Sequence, residues 1–309
     1  MSRIAFLFPG QGSQYVGMGK SIYETFKQAQ MIYDKAEKTL GIPLKRISFE
    51  GPEEELKESK NAQVAILVHS YAIYTILSSE MQPNIVAGHS LGEYTALVVS
   101  GAISFNDAMH LTRLRGELMS RAGDKFLGTM AAIIGLSSDV VIAICNSLQQ
   151  EGVINPANYN SLQQTVITGE IPLVHQAMKI AKEKGAKRVI ELKVSGAFHS
   201  KLMEEAFIPF RKVLLKQEFS QPAIPVVMNV TGKSTNEEDE IRIAITEQIL
   251  NPVQWVKTLL TLETTGITTF VEIGPGKVLS GLTKMTLRNV VIHSIDDAES
   301  LKKFKEGIQ

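Results

Sequence analysis

One cysteine in 309 residues, Cys145, excludes an internal disulfide, and its place in the apolar run VVIAIC, away from any histidine, marks it as a packing residue in a reduced compartment. Net charge is missing too. Lys+Arg and Asp+Glu both number 32, so no global field draws the chain to nucleic acid or an anionic membrane, and an acidic partner has to be met by local charge. No stretch approaches the roughly 18 apolar residues of a membrane span. The start, MSRIAFLFPGQG, holds an apolar segment too short for a secretory core and enters a glycine turn in place of a cleavage site, which predicts a first strand and a cytoplasmic protein. Repeats and low-complexity tracts are absent, and no histidine is spaced with cysteine or carboxylate as metal ligands are. With 44% hydrophobic and 21% charged residues, what remains is a folded, enzyme-sized chain.

Its patterning alternates strand and helix. RIAFLFPG reads as a buried strand, Ser21 to Leu40 as a helix, NAQVAILVHSYAIYTILSS as an apolar helix, PNIVAGHS as a second strand and LGEYTALVVSG as a helix packed against it. This order predicts an α/β fold, a hydrolase-like core with a parallel sheet. After the helix FNDAMHLTRLRGELMSR, the segment AGDKFLG reads as a connection. TMAAIIGL, SSDVVIAICNSLQQ (a helix capped by serine), GVINPANYN, QQTVITG, IPLVHQAMKIAKEKG and KRVIELKV then spell β-α-β-β-α-β, the order of a ferredoxin-like unit. The expected organisation is therefore a discontinuous large catalytic domain, 1–123 and 193–309, with a small ferredoxin-like subdomain at 124–192. The large domain resumes through VSGAFHS, a helix to about Lys216, the strand PVVMNV, a helix near IRIAITEQIL and the strand TTFVEIG.

Gly88-His89-Ser90-Leu91-Gly92 fits G-x-S-x-G between a predicted strand and a predicted helix, where small residues let the backbone turn sharply and lift the serine hydroxyl clear. The helix start supplies free N–H groups where an oxyanion would form, that of Leu91 among them. A serine needs a base. Six histidines are available. His89 neighbours Ser90 but points to the opposite face, so it is expected to support the turn; His69, His110 and His175 lie in helices and His293 ends a late strand. His199, among the small residues of VSGAFHS that could admit a substrate, is better placed than these, which are more often structural, though its location alone does not settle the base. The loop Gly10-Gln11-Gly12-Ser13-Gln14 opens on the same sheet edge as Ser90 and is a plausible oxyanion wall; it lacks the third glycine of a dinucleotide-binding loop.

FPGQGSQYVGMG, GHSLGEYTALVVSGAIS, RLRG, GAFHS, EQILNPVQW and VEIGPGKVLSGL, in this order over nearly the whole chain, resemble the malonyl-CoA:acyl carrier protein transacylase family. The resemblance implies the same hydrolase-like core with a ferredoxin-like insertion, and a Ser-His dyad without a full acid triad. By position it implies Ser90 as the acylated nucleophile, His199 as its base and Gln248 as the residue whose carbonyl orients the imidazole. Gln11 and Leu91 match the oxyanion-hole N–H donors, and Arg115 matches the residue that pairs with the malonyl carboxylate. Chemistry supports Arg115 independently, because a carboxylate entering an acyl pocket needs a bidentate guanidinium; Arg113, two residues away on the same helix, faces elsewhere. Phe198 beside His199 and Leu91 beside Ser90 resemble the malonyl-selecting form, with little room for an α-methyl branch. The implied substrates are malonyl-CoA and the phosphopantetheine thiol of an acyl carrier protein, with no metal and no further cofactor, and a monomer is expected. Leu162 and Gln163 stand where members serving fatty acid synthesis usually carry Pro-Gly. A trans-acting acyltransferase loading a polyketide synthase carrier therefore stays open, as do a serine hydrolase or thioesterase using the same pair and a silent carrier-binding module.

Overall fold

The structure, a computed structural model, describes residues 3–308. It opens with β1 (Arg3–Phe8), followed by α1 (Lys20–Thr25), α2 (Lys27–Leu40), α3 (Leu44–Phe49), α4 (Glu53–Lys57) and α5 (Ser59–Leu77). Then come β2 (Ile85–Gly88), α6 (Gly92–Ser100) and α7 (Phe105–Lys125). The helix expected over Ser21–Leu40 is two helices, because Phe26 adopts an extended conformation between α1 and α2. The connection expected at AGDKFLG is mostly helix: α7 runs through Gly123, whose missing side chain serves packing, since a Cβ there would sit 1.8 Å from the Ser195 carbonyl oxygen.

The chain next builds a separate sheet from β3 (Gly128–Ile134), α8 (Ser138–Leu148), β4 (Ile154–Ser161), β5 (Gln164–Glu170), α9 (Ile171–Glu183) and β6 (Arg188–Glu191). All its pairings are antiparallel and the order is β4-β5-β3-β6, the ferredoxin-like arrangement. Alternation along β3 divides its faces. Ala131 and Ile133 pack with Val141, Cys145 and Val174 of α8 and α9, whereas Met130 and Ala132 join the main core. Ser137 caps α8 by its backbone position, but its side chain accepts no capping hydrogen bond.

The return segment carries α10 (Glu204–Leu214), β7 (Val226–Val227), β8 (Ser234–Thr235), α11 (Glu238–Glu247), α12 (Trp255–Thr264), β9 (Ile267–Ile273), α13 (Val278–Thr286), β10 (Val291–Ile295) and α14 (Ala298–Ile308). The strand expected over PVVMNV shrinks to two residues. The main sheet has the order β10-β9-β1-β2-β7-β8 and is parallel except for β8. Ala5 to Phe8 are fully buried, as expected of a central parallel strand covered on both faces. Register sets the geometry that matters: Phe8 pairs with Gly88, so the loop after β1 and the turn after β2 leave the sheet side by side at its carboxyl edge. Among the described residues no helix is long and apolar enough to cross a membrane.

Candidate active site

The turn after β2 forms because nothing larger than glycine fits around it. A Cβ on Gly92 would lie 2.0 Å from the Phe8 carbonyl oxygen and one on Gly88 2.0 Å from Gly92 itself. With strand and helix this close, Ser90 is driven to φ 49°, a left-handed conformation that serine rarely adopts. His199 shares this state, at φ 59°. Strain at both residues persists because the surrounding contacts over-determine it.

These two residues, 109 apart in sequence, meet. Ser90 Oγ lies 2.9 Å from His199 Nε2. On the far side of the ring, Nδ1 faces two carbonyl oxygens, those of Gln248 at 2.9 Å and Asn251 at 3.0 Å. Carbonyls only accept, so the proton sits on Nδ1 and Nε2 offers its lone pair to the serine hydroxyl. Two carbonyls thus hold the place that an acid fills in a triad. Burial first, and the Arg115 charge second, push the His199 pKa down to about 3, which keeps the free imidazole neutral and ready to accept a proton.

Arg115 is buried in the middle of α7. It donates through Nη2 to Ser90 Oγ at 3.1 Å and to Gln248 Oε1 at 3.0 Å, and through Nη1 to Gln63 Oε1 at 2.8 Å; its Nε has no partner among the described residues. No carboxylate hydrogen-bonds it among the described residues, so this buried guanidinium sits at the nucleophile held by two amide oxygens and the serine hydroxyl. Arg113 turns away to Glu117, Asn61 and the Lys60 carbonyl.

Gln11 lies beside the turn, its side chain donating to Ser59 Oγ at 3.0 Å and accepting from Gln63 Nε2 at 3.2 Å. The backbone N–H groups of Gln11 and Leu91 donate to no protein acceptor among the described residues, and Leu91 stands at the N-terminus of α6, whose dipole favours negative charge. The Leu91 side chain, in contrast, is packed in the main core and not on the cleft wall, which corrects the expectation that its bulk helps to exclude an α-methyl branch. Phe198 does line the cleft, a space of about 360 Å³ between the two sheets that also holds Ser90, His199, Arg115, Gln11 and Met130. Lys57 and Lys193 stand on its wall. His89, also on the cleft wall, hydrogen-bonds Asn160 at 2.8 Å and packs on Trp255. His69 is a buried structural residue between Tyr33 and Asp296.

Three polar residues at the site were not singled out above. Gln63 and Glu93 each interrupt an apolar helix pattern, and an unpaired polar side chain inside such a helix is costly, so their presence signals a buried partner. Asn229 carries no such local sign.

A strained serine served by a carbonyl-oriented histidine, with free N–H groups and a buried cation at the hydroxyl, defines an acyl-transferring α/β protein. Consistent with that class, residues 5–307 match the model for the acyl transferase domain, and the chain belongs to that family. The malonyl CoA-acyl carrier protein transacylase of Bacillus subtilis (strain 168) is 43% identical over 304 residues, covering 98% of this chain and 96% of that protein. Among solved structures, a malonyl-transacylase in complex with a type II PKS acyl-carrier protein superposes with a TM-score of 0.96 at 38% identity, over 99% of this chain and 100% of that one. An acyl carrier protein S-malonyltransferase from Vibrio cholerae gives 0.94 at 38% identity, over 98% of this chain and 100% of that one.

Proposed function

We propose that the protein transfers a malonyl group from malonyl-CoA to the phosphopantetheine thiol of an acyl carrier protein through a Ser90 ester. The observation that carries this reading is the position of Ser90 Oγ between His199 Nε2 and Arg115 Nη2. Arg115 takes the free malonyl carboxylate, which satisfies its buried charge and places the thioester carbonyl at the serine. His199 accepts the hydroxyl proton as Oγ attacks, and the Gln11 and Leu91 N–H groups hold the resulting oxyanion. The imidazolium, stabilised through Nδ1 by the Gln248 and Asn251 carbonyls, returns its proton to the departing CoA thiolate. In the second half the carrier thiol gives its proton to His199 and attacks the ester carbonyl, and the imidazolium hands that proton to Ser90 Oγ as the serine leaves.

Residues 124–192 act in this reading as a small unit forming one wall of the cleft, with 1–123 and 193–309 as the catalytic unit. Phe198 limits branching at the α-carbon. The protein works as a cytoplasmic monomer; Cys145, buried and pushed up to about 12 by that burial, is an inert thiol in keeping with it. The carrier is that of fatty acid synthesis. A polyketide carrier is the second reading, favoured by the Leu162–Gln163 turn, where Leu162 is exposed. Comparing transfer rates to the two carriers decides between them. The primary test is intact mass after incubation with malonyl-CoA: one malonyl adduct forms on the wild type and none on Ser90→Ala. A stoichiometric adduct on Ser90→Ala removes Ser90 from its role, and rapid release of free malonate without carrier would make the protein a hydrolase.

A further inference from the structure

Every residue of α6 is buried, and among them Glu93, three positions after Ser90, is a carboxylate with no exposed surface. It lies outside the cleft and contacts neither Ser90 Oγ nor the imidazole, so the reaction as described makes no use of it. Its contacts show what it holds. Oε1 accepts the Asn229 backbone N–H at 2.5 Å, and Oε2 accepts from Gln248 Nε2 at 2.5 Å. Asn229 then grips the turn, its Oδ1 accepting the Ser90 N–H at 2.7 Å and its Nδ2 donating to the Gly88 carbonyl at 2.6 Å. Gln248 grips it from the other side, donating to the Ser90 carbonyl at 2.8 Å. Gln248 also accepts from Arg115 and, through its own carbonyl, fixes His199. One carboxylate therefore anchors both residues whose side chains hold the strained peptide units of the nucleophile, Asn229 through its backbone N–H and Gln248 through its amide.

We propose that Glu93 is a positioning residue for acylation: its ionised carboxylate, acting through Asn229 and Gln248, clamps Ser90 in the conformation that meets His199 and Arg115. The inference rests on the assignment of Ser90 as nucleophile. Acceptor count explains why a carboxylate is required. Both neighbours present donors, and the ionised form accepts at both oxygens with no proton of its own to place; a carboxamide sets a donor against one of them, and a protonated acid adds an O–H that needs a further acceptor. Around Glu93 stand Arg115 from α7 and un-ionised Tyr94 on α6, while the β7–β8 and α11 sides supply uncharged Asn229 and Gln248. Burial outweighs these donors and the Arg115 charge and raises the Glu93 pKa to about 7, so the acceptor form is lost on mild acidification. His199, at about 3, does not titrate in that window.

The test is the rate of malonyl adduct formation, by rapid quench and intact mass, on wild type, Glu93→Gln and Glu93→Asp at saturating malonyl-CoA across pH 6 to 8. Losing a buried charge-assisted hydrogen bond predicts a fall of about 10- to 100-fold in the acylation rate of Glu93→Gln, with little change in the malonyl-CoA concentration for half-saturation. The wild-type rate declines as pH falls below about 7, and that decline is absent in Glu93→Gln. Glu93→Asp retains the decline at a reduced rate, and carries the test if the carboxamide variant does not fold. Wild-type rates in either variant, or a slow Glu93→Gln that keeps the wild-type acid limb, overturn the proposal. Failure of the wild type to form any adduct would instead remove the Ser90 assignment.

Discussion

Replacing Arg115 with alanine separates recognition of the malonyl carboxylate from general catalysis. In the wild type the guanidinium is buried, lines the cleft and reaches Ser90 Oγ at 3.1 Å through Nη2. Without it, a malonyl group must bury its carboxylate unpaired, which costs about 3–5 kcal/mol. At 1.36 kcal/mol per decade this slows malonyl acylation by about two to nearly four orders of magnitude. Acetyl acylation loses no such pair. It loses only the Arg115 hydrogen bond to Ser90 Oγ, which malonyl acylation loses as well. The malonyl-to-acetyl ratio therefore collapses. Arg115→Lys recovers part of it, because an ammonium supplies charge without the planar fork. Gln63 and Gln248 each lose a donor, so a melting measurement must accompany the kinetics. The assay is single-turnover acylation with malonyl-CoA and acetyl-CoA. Equal losses with the two substrates would refute the reasoning, since they would mean that Arg115 supports the fold or the hydroxyl but not the carboxylate.

His199 has a folded pKa depressed from 6.5 to about 3, so it contributes stability that is present above 6.5 and lost as pH falls from there toward 3. Urea denaturation at neutral pH and near pH 5 should accordingly show a smaller acid-induced loss for His199→Gln than for wild type; equal losses would contradict the depression. Phe198→Ala opens the cleft wall, and the preference for malonyl-CoA over methylmalonyl-CoA should relax by about 10- to 200-fold, the value of one methyl group in such a pocket. An unaltered ratio of the two acylation rates places the selectivity elsewhere. Gly92→Ala forces a Cβ against the Phe8 carbonyl oxygen, with an expected cost of about 3 kcal/mol or more in thermal or urea denaturation. Wild-type stability there would show that the turn can relax.

Local rules carried much of this protein. The buried strands β1 and β2, the apolar α5 and the β-α-β-β-α-β order of the second sheet follow from periodicity, which each segment holds within itself. The serine turn was legible as well, because its glycines are demanded by contacts between chain neighbours. Where contacts are distant, the local reading slipped. Gly123 resembled a break but is a close approach to Ser195, Phe26 splits a helix without any glycine or proline to announce it, and Leu91 faces the core instead of the cleft.

By itself the amino-acid order determined the alternation of elements, the position of the strained serine and, through motif resemblance, the pairing of Ser90 with His199 and Arg115. Tertiary structure alone decided how that site is held. Two backbone carbonyls in place of an acid, an arginine buried against amide oxygens, and a carboxylate gripping the turn through Asn229 and Gln248 join residues up to 158 positions apart. The physical reason is that periodicity and turn chemistry act over a few residues, whereas the partners of a buried polar group are chosen by whichever donors and acceptors the packed sheets bring within 3 Å or so of it.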